Sequence, residues 1–65
     1  MSNHQEPKWI SNEELADRLG ISLGTIRRWR LMGTGPRGVK FGRRVRYAIT
    51  EVERWEQEQA AKQAS

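Results

Sequence analysis

Two runs decide how this chain is read: Ser22-Leu-Gly-Thr-Ile-Arg-Arg-Trp-Arg30 and, after a Gly/Pro-rich connection, Val39-Lys-Phe-Gly-Arg-Arg-Val-Arg-Tyr47. On a wheel of about 100° per residue, Ile26 and Trp29 of the first run share one helical face. Gly24, Arg27, Arg28 and Leu31 gather on the opposite face, with Thr25 and Arg30 at its flanks. The second run alternates apolar and basic residues around Gly42-Arg43, a natural two-residue hairpin turn with Gly supplying positive φ. One ribbon face is expected to carry Val39, Phe41, Val45 and Tyr47 and to cover the helices. The other is expected to carry Lys40, Arg44 and Arg46, with Arg43 at the tip. Between Ile21 and Ile49 stand eight Lys/Arg (Arg27, Arg28, Arg30, Arg37, Lys40, Arg43, Arg44, Arg46) and no Asp or Glu. All eight acidic residues of the 65-residue chain lie in the flanks, so the formal net charge of +4 hides a concentrated positive block. Such a block is the electrostatic footprint of a polyanion-binding surface.

Outward from this block, the flanks read as support. Ser11-Asn-Glu-Glu14 is a capping box that starts a helix over Asn12–Leu19. Leu15, Ala16 and Leu19 share its inner face, Glu14 and Arg18 make an i,i+4 pair on its outer one, and Gly20 supplies a left-handed stop. Ser22 caps the next helix only two residues later, and two helices joined by so short a Gly-containing turn form a helix-turn-helix. That second helix spans about 10 residues, or ~15 Å, before Gly33 stops it. Thr50-Glu-Val-Glu53 reads as a second capping box opening a helix toward Ala60, with Val52 and Trp55 as its apolar stripe. Residues 1–8 read as a flexible leader, 9–59 as one folded domain and 60–65 as a frayed tail.

Composition excludes several classes. A chain this short buries only about 60% of its unfolded surface, so Leu15, Leu19, Ile21, Ile26, Trp29, Val39, Phe41, Val45, Tyr47, Val52 and Trp55 are all claimed for the core. There is no cysteine and only one histidine, His4 in the leader, so neither a disulfide framework nor a zinc site is expected. No nucleophile, base or ligand set clusters, and no catalytic residue, metal or cofactor is expected. No apolar run approaches the ~20 residues of a membrane span, which gives the expectation of a soluble, cytoplasmic protein. Gly33-Thr-Gly-Pro-Arg-Gly38 matches G-x-G-x-x-G, but a helix precedes it and a strand follows, the reverse of a dinucleotide fingerprint. Trp29 and Trp55 fall at core phases of their helices, which favours packing over base stacking.

Helix, turn, basic helix, basic hairpin and closing helix add up to a small α+β winged helix-turn-helix. Its second helix matches the ~12 Å major groove of B-DNA. Arg27 and Arg28 are candidates for guanine edges, where a guanidinium pairs bidentately with O6 and N7. Ser22, Thr25 and the helix N-terminus suit phosphate oxygens, Gly24 permits close approach, and Arg30 extends the same helix. Lys40, Arg43, Arg44 and Arg46 make the wing a candidate for the adjacent minor groove or its phosphates. An RNA target fits less well without an exposed aromatic platform. A basic adaptor for an acidic protein remains the reading from another class.

The motifs Trp9-Ile-Ser-Asn-Glu-Glu-Leu-Ala-Asp-Arg-Leu-Gly-Ile-Ser22, Thr25-Ile-Arg-Arg-Trp29, Gly33-Thr-Gly-Pro36, Lys40-Phe-Gly-Arg-Arg-Val-Arg-Tyr47 and Val52-Glu-Arg-Trp55 resemble the excisionase family of MerR-like winged-helix DNA-binding domains. That family holds phage excisionases (recombination directionality factors) and small AlpA-like transcription regulators. The resemblance implies a factor that binds repeated attachment-site sequences, bends the DNA and helps a tyrosine integrase excise a prophage while disfavouring integration. It places Ser22, Thr25, Arg27 and Arg28 on the recognition helix and Arg43, Arg44 and Arg46 on the wing. The chain ends near Trp55, where MerR regulators carry a long dimerisation helix, and this favours the excisionase role. A monomer in solution that associates head-to-tail on DNA, in an open array, is then expected, in the cytoplasm of a bacterial host.

Overall fold

In the computed structural model, which describes residues 8–64, the elements run β1 (Trp9–Ile10), α1 (Asn12–Leu19), α2 (Leu23–Met32), β2 (Val39–Phe41), β3 (Arg44–Ala48) and α3 (Ile49–Ala64). The two N-terminal helices begin and end where their caps place them. Ser11 Oγ accepts from Glu14 N–H at 3.1 Å while Glu14 returns the bond to Ser11 N–H at 2.8 Å, and Gly20 closes the helix at φ 69°. Ser22 caps α2 and Gly33 ends it at φ 74°. Glu14 is thus engaged at the cap, and Arg18 reaches across to α3 instead of pairing with it. Its Nε and Nη2 donate to Glu56 Oε2 and Oε1 at 2.8 and 2.9 Å. This hydrogen bonding holds the Glu56 carboxyl below its ordinary value. The pair is solvent-exposed and adds more to alignment than to stability.

Strand β3 is the centre of the sheet, ordered β1-β3-β2 and antiparallel throughout. Trp9-Ile10, read as apolar residues ahead of the first helix, form the third strand, with Ile10 opposite Tyr47 and Trp9 opposite Ala48. Ile10, Leu15, Ala16, Ile26, Tyr47 and Val52 form the buried core, with Leu19, Ile21, Trp29, Val45 and Ile49 packed against it. Trp29 and Trp55 meet with ring centroids 5.3 Å apart, so both are packing residues.

The hairpin register overturns the expected faces. Its two-residue loop, with Gly42 at φ 64°, pairs Phe41 with Arg44, Lys40 with Val45 and Val39 with Arg46. Residues directly opposite in an antiparallel pair point to the same side, so an odd residue on β2 shares its face with an even one on β3. Val39 and Phe41 therefore lie with Arg44 and Arg46 on the outer face, 39% and 51% exposed, and not in the core. Trp9 joins them there, 40% exposed and edge-on to Phe41 at 5.1 Å, rather than closing over the core. Lys40 falls on the side of Val45 and Tyr47, which is the helix side.

The second capping box is not used. Helix α3 begins at Ile49, directly after β3, so Thr50 sits inside its first turn. Ile49 N–H donates to the Lys8 carbonyl at 2.8 Å, extending the β1–β3 pairing to the point where the helix starts. Lys8, assigned to the leader, is thereby tied to the fold, while residues 1–7 of that leader, His4 included, lie outside the described residues. Residues 60–64 of the stretch expected to fray continue α3 as helix.

Tyr47 packs its ring in the centre of the core, and its hydroxyl is buried without a hydrogen-bond partner. Burial raises the phenol above its ordinary value of 10.0, an effect that the nearby Arg30 guanidinium opposes. Below the unfolded value both states hold the phenol proton; above it the unfolded chain ionises first and stability falls. Tyr47→Phe is therefore expected to leave stability at pH 8 unchanged or raise it by up to about 1 kcal/mol. It is also expected to lessen the loss of stability above pH ~10. Urea titrations of both proteins at pH 8 and pH 11 check this.

Candidate nucleic-acid interface

Helix α2 presents its N-terminus without a charge to complement it. The first turn of α1 holds Glu13 and Glu14, whereas that of α2 holds no acidic residue. A helix N-terminus favours an anion, and the first turn of α2 leaves that preference open to an anion from another molecule. Ser22 Oγ accepts from Thr25 N–H at 3.2 Å and lies 3.0 Å from Thr25 Oγ1. One hydroxyl proton joins the pair, and the other is left to donate to a phosphate oxygen.

Arg27 and Arg28 are both exposed, opposite the buried Ile26, and no carboxylate engages either of them among the described residues. Gly24 lies on the same stripe. A Cβ there would meet only Ser22 Oγ at 3.9 Å, and its backbone is ordinary helix, so nothing within the fold requires glycine. Leu31, one turn beyond Arg27 and Arg28, is 89% exposed. It was not among the expected site residues, although the wheel places it on their face.

Arg30 is placed differently from the stripe. A Cβ at Gly38 would stand 2.9 Å from Arg30 Nη1, 2.9 Å from Tyr47 Cε2 and 3.1 Å from Val45 Cγ1. Its guanidinium thus lies over the base of the wing, where it ties α2 to β3 rather than pointing with Arg27 and Arg28. Gly35, at φ 82°, likewise brings the connecting loop onto Trp29, to whose ring a Cβ would approach within 2.7 Å. The loop and the end of α2 enclose a cleft of about 260 Å³ lined by Trp29, Arg30, Thr34 and Arg37, among others. Arg37, absent from the expected site, stands exposed at its edge.

On the wing, Arg43 occupies the turn and Arg44 the first outer-face position, both exposed. Arg46 is half-buried, and its Nη1 donates to the Val45 carbonyl at 2.9 Å. The cations of the wing are therefore divided: Lys40 faces the α2 side, Arg44 and Arg46 the outer side, and Arg43 the tip. The acidic side chains of the described residues lie on α1 and α3. Among the described residues no group of His, Asp and Glu is arranged to hold a metal ion, and no helix is long and apolar enough to cross a membrane.

A helix-turn-helix with a short turn, a basic second helix and a basic three-stranded sheet beside it defines a winged DNA-binding module. Residues 9–60 match the helix-turn-helix domain family, and the chain belongs to it. The family includes excisionase-like small DNA-binding proteins, which supports double-stranded DNA as the partner. No curated protein sequence matches the chain.

Because nothing within the fold requires glycine at position 24, its replacement separates stability from any duplex binding by the exposed stripe. Gly24→Ala is expected to stabilise the fold by up to about 0.5–1 kcal/mol, because alanine is the better helix former. The same methyl holds a duplex away from the helix, so affinity is expected to fall several-fold. Thermal melting and duplex titration on one preparation read both effects.

Proposed function

We propose that this chain is a sequence-specific double-stranded DNA-binding protein that acts as a phage or prophage excisionase, a recombination directionality factor. In this reading α2 enters the major groove, with Arg27 and Arg28 on base edges and Ser22 and Thr25 on phosphates. Gly24 lets the helix sit close. The wing follows the adjacent minor groove or its phosphates through Arg43 and Arg44, with Lys40 and Arg46 adding positive potential from its two sides. Arg30 contributes charge from the junction of helix and wing. The observation that carries the proposal is the block of eight cations between Ile21 and Ile49, seven of them exposed, free of any acidic residue and framed by acidic helices.

The excisionase role rests on the resemblance of the spaced motifs and on the family. It assigns the protein to attachment-site DNA in the cytoplasm of a bacterial host, where several copies bind side by side, head-to-tail, and bend the duplex for a tyrosine integrase. It performs no bond chemistry itself. A small AlpA-like transcription regulator uses the same surface on a different DNA, and the two roles separate by target.

A gel-shift titration on three duplexes tests the proposal: the attachment-site arm beside the nearest integrase gene, that gene's promoter, and a scrambled control. A ladder of successive, cooperative complexes on the arm alone is expected; one discrete complex confined to the promoter makes the protein a regulator. No shift on any duplex at low salt overturns DNA binding. Arg28→Ala is expected to cost about 1–3 kcal/mol at the cognate site and to relax discrimination there. Arg43→Ala is expected to weaken binding on all sequences and flatten the salt dependence by about one unit of slope. Titrations of each variant at several salt concentrations distinguish the two behaviours.

A further inference from the structure

Leu31 has the least protected large apolar side chain among the described residues, 89% exposed near the end of α2. A single exposed leucine usually means nothing; its position is what gives this one weight. It follows Arg27 by four residues and Arg28 by three, so all three lie on the stripe that begins at Gly24. Seven residues separate Gly24 from Leu31, a rise of about 10.5 Å. From Arg27 to Leu31 the rise is only about 6 Å, so a helix lying along the groove turns both residues toward its floor. A helix seated through Gly24 and reading base edges with Arg27 and Arg28 therefore keeps Leu31 inside the groove. An isobutyl group offers no hydrogen bond, and the one apolar group on the groove floor is the C5-methyl of thymine.

We propose that Leu31 is a specificity-determining residue that packs on the C5-methyl group of a thymine, beside the bases met by Arg27 and Arg28. The inference rests on the DNA-binding reading above and adds to it the base class read at the far end of the helix. Because Leu31 lies outside the core, Leu31→Ala retains the fold, and binding reports the contact itself.

The test replaces each thymine of the bound site singly by deoxyuridine, which lacks only the C5-methyl. Wild-type protein is expected to lose about three- to five-fold in affinity at one such position, the worth of one buried methyl group. Leu31→Ala is expected to bind the thymine duplex with a similar loss and to be indifferent to the thymine-to-uracil change there. If the wild type binds every deoxyuridine duplex as tightly as the parent, the role of Leu31 is overturned while DNA binding stands. An equal penalty in wild type and Leu31→Ala assigns the methyl to another residue and likewise overturns it. Failure of the wild type to bind any duplex at low salt overturns the underlying reading as well.

Discussion

Tyr47 is the side chain on which the elements of this small fold converge. It lies on the central strand, faces Ile10 across the β1–β3 pair and packs in one cluster with Leu15 and Ala16 of α1, Ile26 of α2 and Val52 of α3. Its ring edge also meets the backbone of Gly38, where Arg30 arrives from α2 and Val45 from β3. A chain of this length has no second core to fall back on. The aromatic ring therefore sets the position of the helix-turn-helix relative to the wing. The phenol hydroxyl is buried in that arrangement without a well-formed hydrogen bond, and the Arg30 guanidinium stands near it.

Charge is sorted onto the frame that Tyr47 organises. The acidic residues go to α1 and α3, where Glu13 and Glu14 complement the start of α1 and Arg18 bridges to Glu56. The cations go to α2, the connecting loop and the wing, and among the described residues no carboxylate pairs with them there. Mutual repulsion among these cations works against the compact state, and a bound polyanion relieves it. The N-terminus of α2, free of acids in its first turn, and the open space over Gly24 carry the same logic at the scale of one helix.

The helices of the helix-turn-helix were legible because their caps are local chemistry: Ser11 and Gly20 bound one, Ser22 and Gly33 the other. What was not legible depended on pairing. Trp9-Ile10 is too short a run to show alternation and becomes a strand only because β3 lies beside it. The hairpin faces were misassigned because alternation was carried across a two-residue loop, which pairs Phe41 with Arg44 and so exchanges odd for even positions. Thr50 reads as a cap, but the Ile49 N–H donates to the Lys8 carbonyl and the helix starts two residues earlier than that cap would place it. Within the candidate site, Arg27 and Arg28 follow from periodicity alone. Arg30 does not, since a flank position on the wheel is compatible with groove or body, and the close approach of Gly38 directs it to the body. Leu31 stands on the same face, but an apolar side chain carries no charge to mark it as part of a DNA-binding surface.

The central claim is that α2 and the wing together form one duplex-binding surface, with the acidic helices turned away from it. Backbone amide shifts recorded while a duplex is added test it most directly. The account predicts that the changes concentrate on Ser22–Leu31 and Lys40–Arg46 and leave the outer face of α3 undisturbed. Changes centred on α3, with α2 and the wing silent, would contradict it.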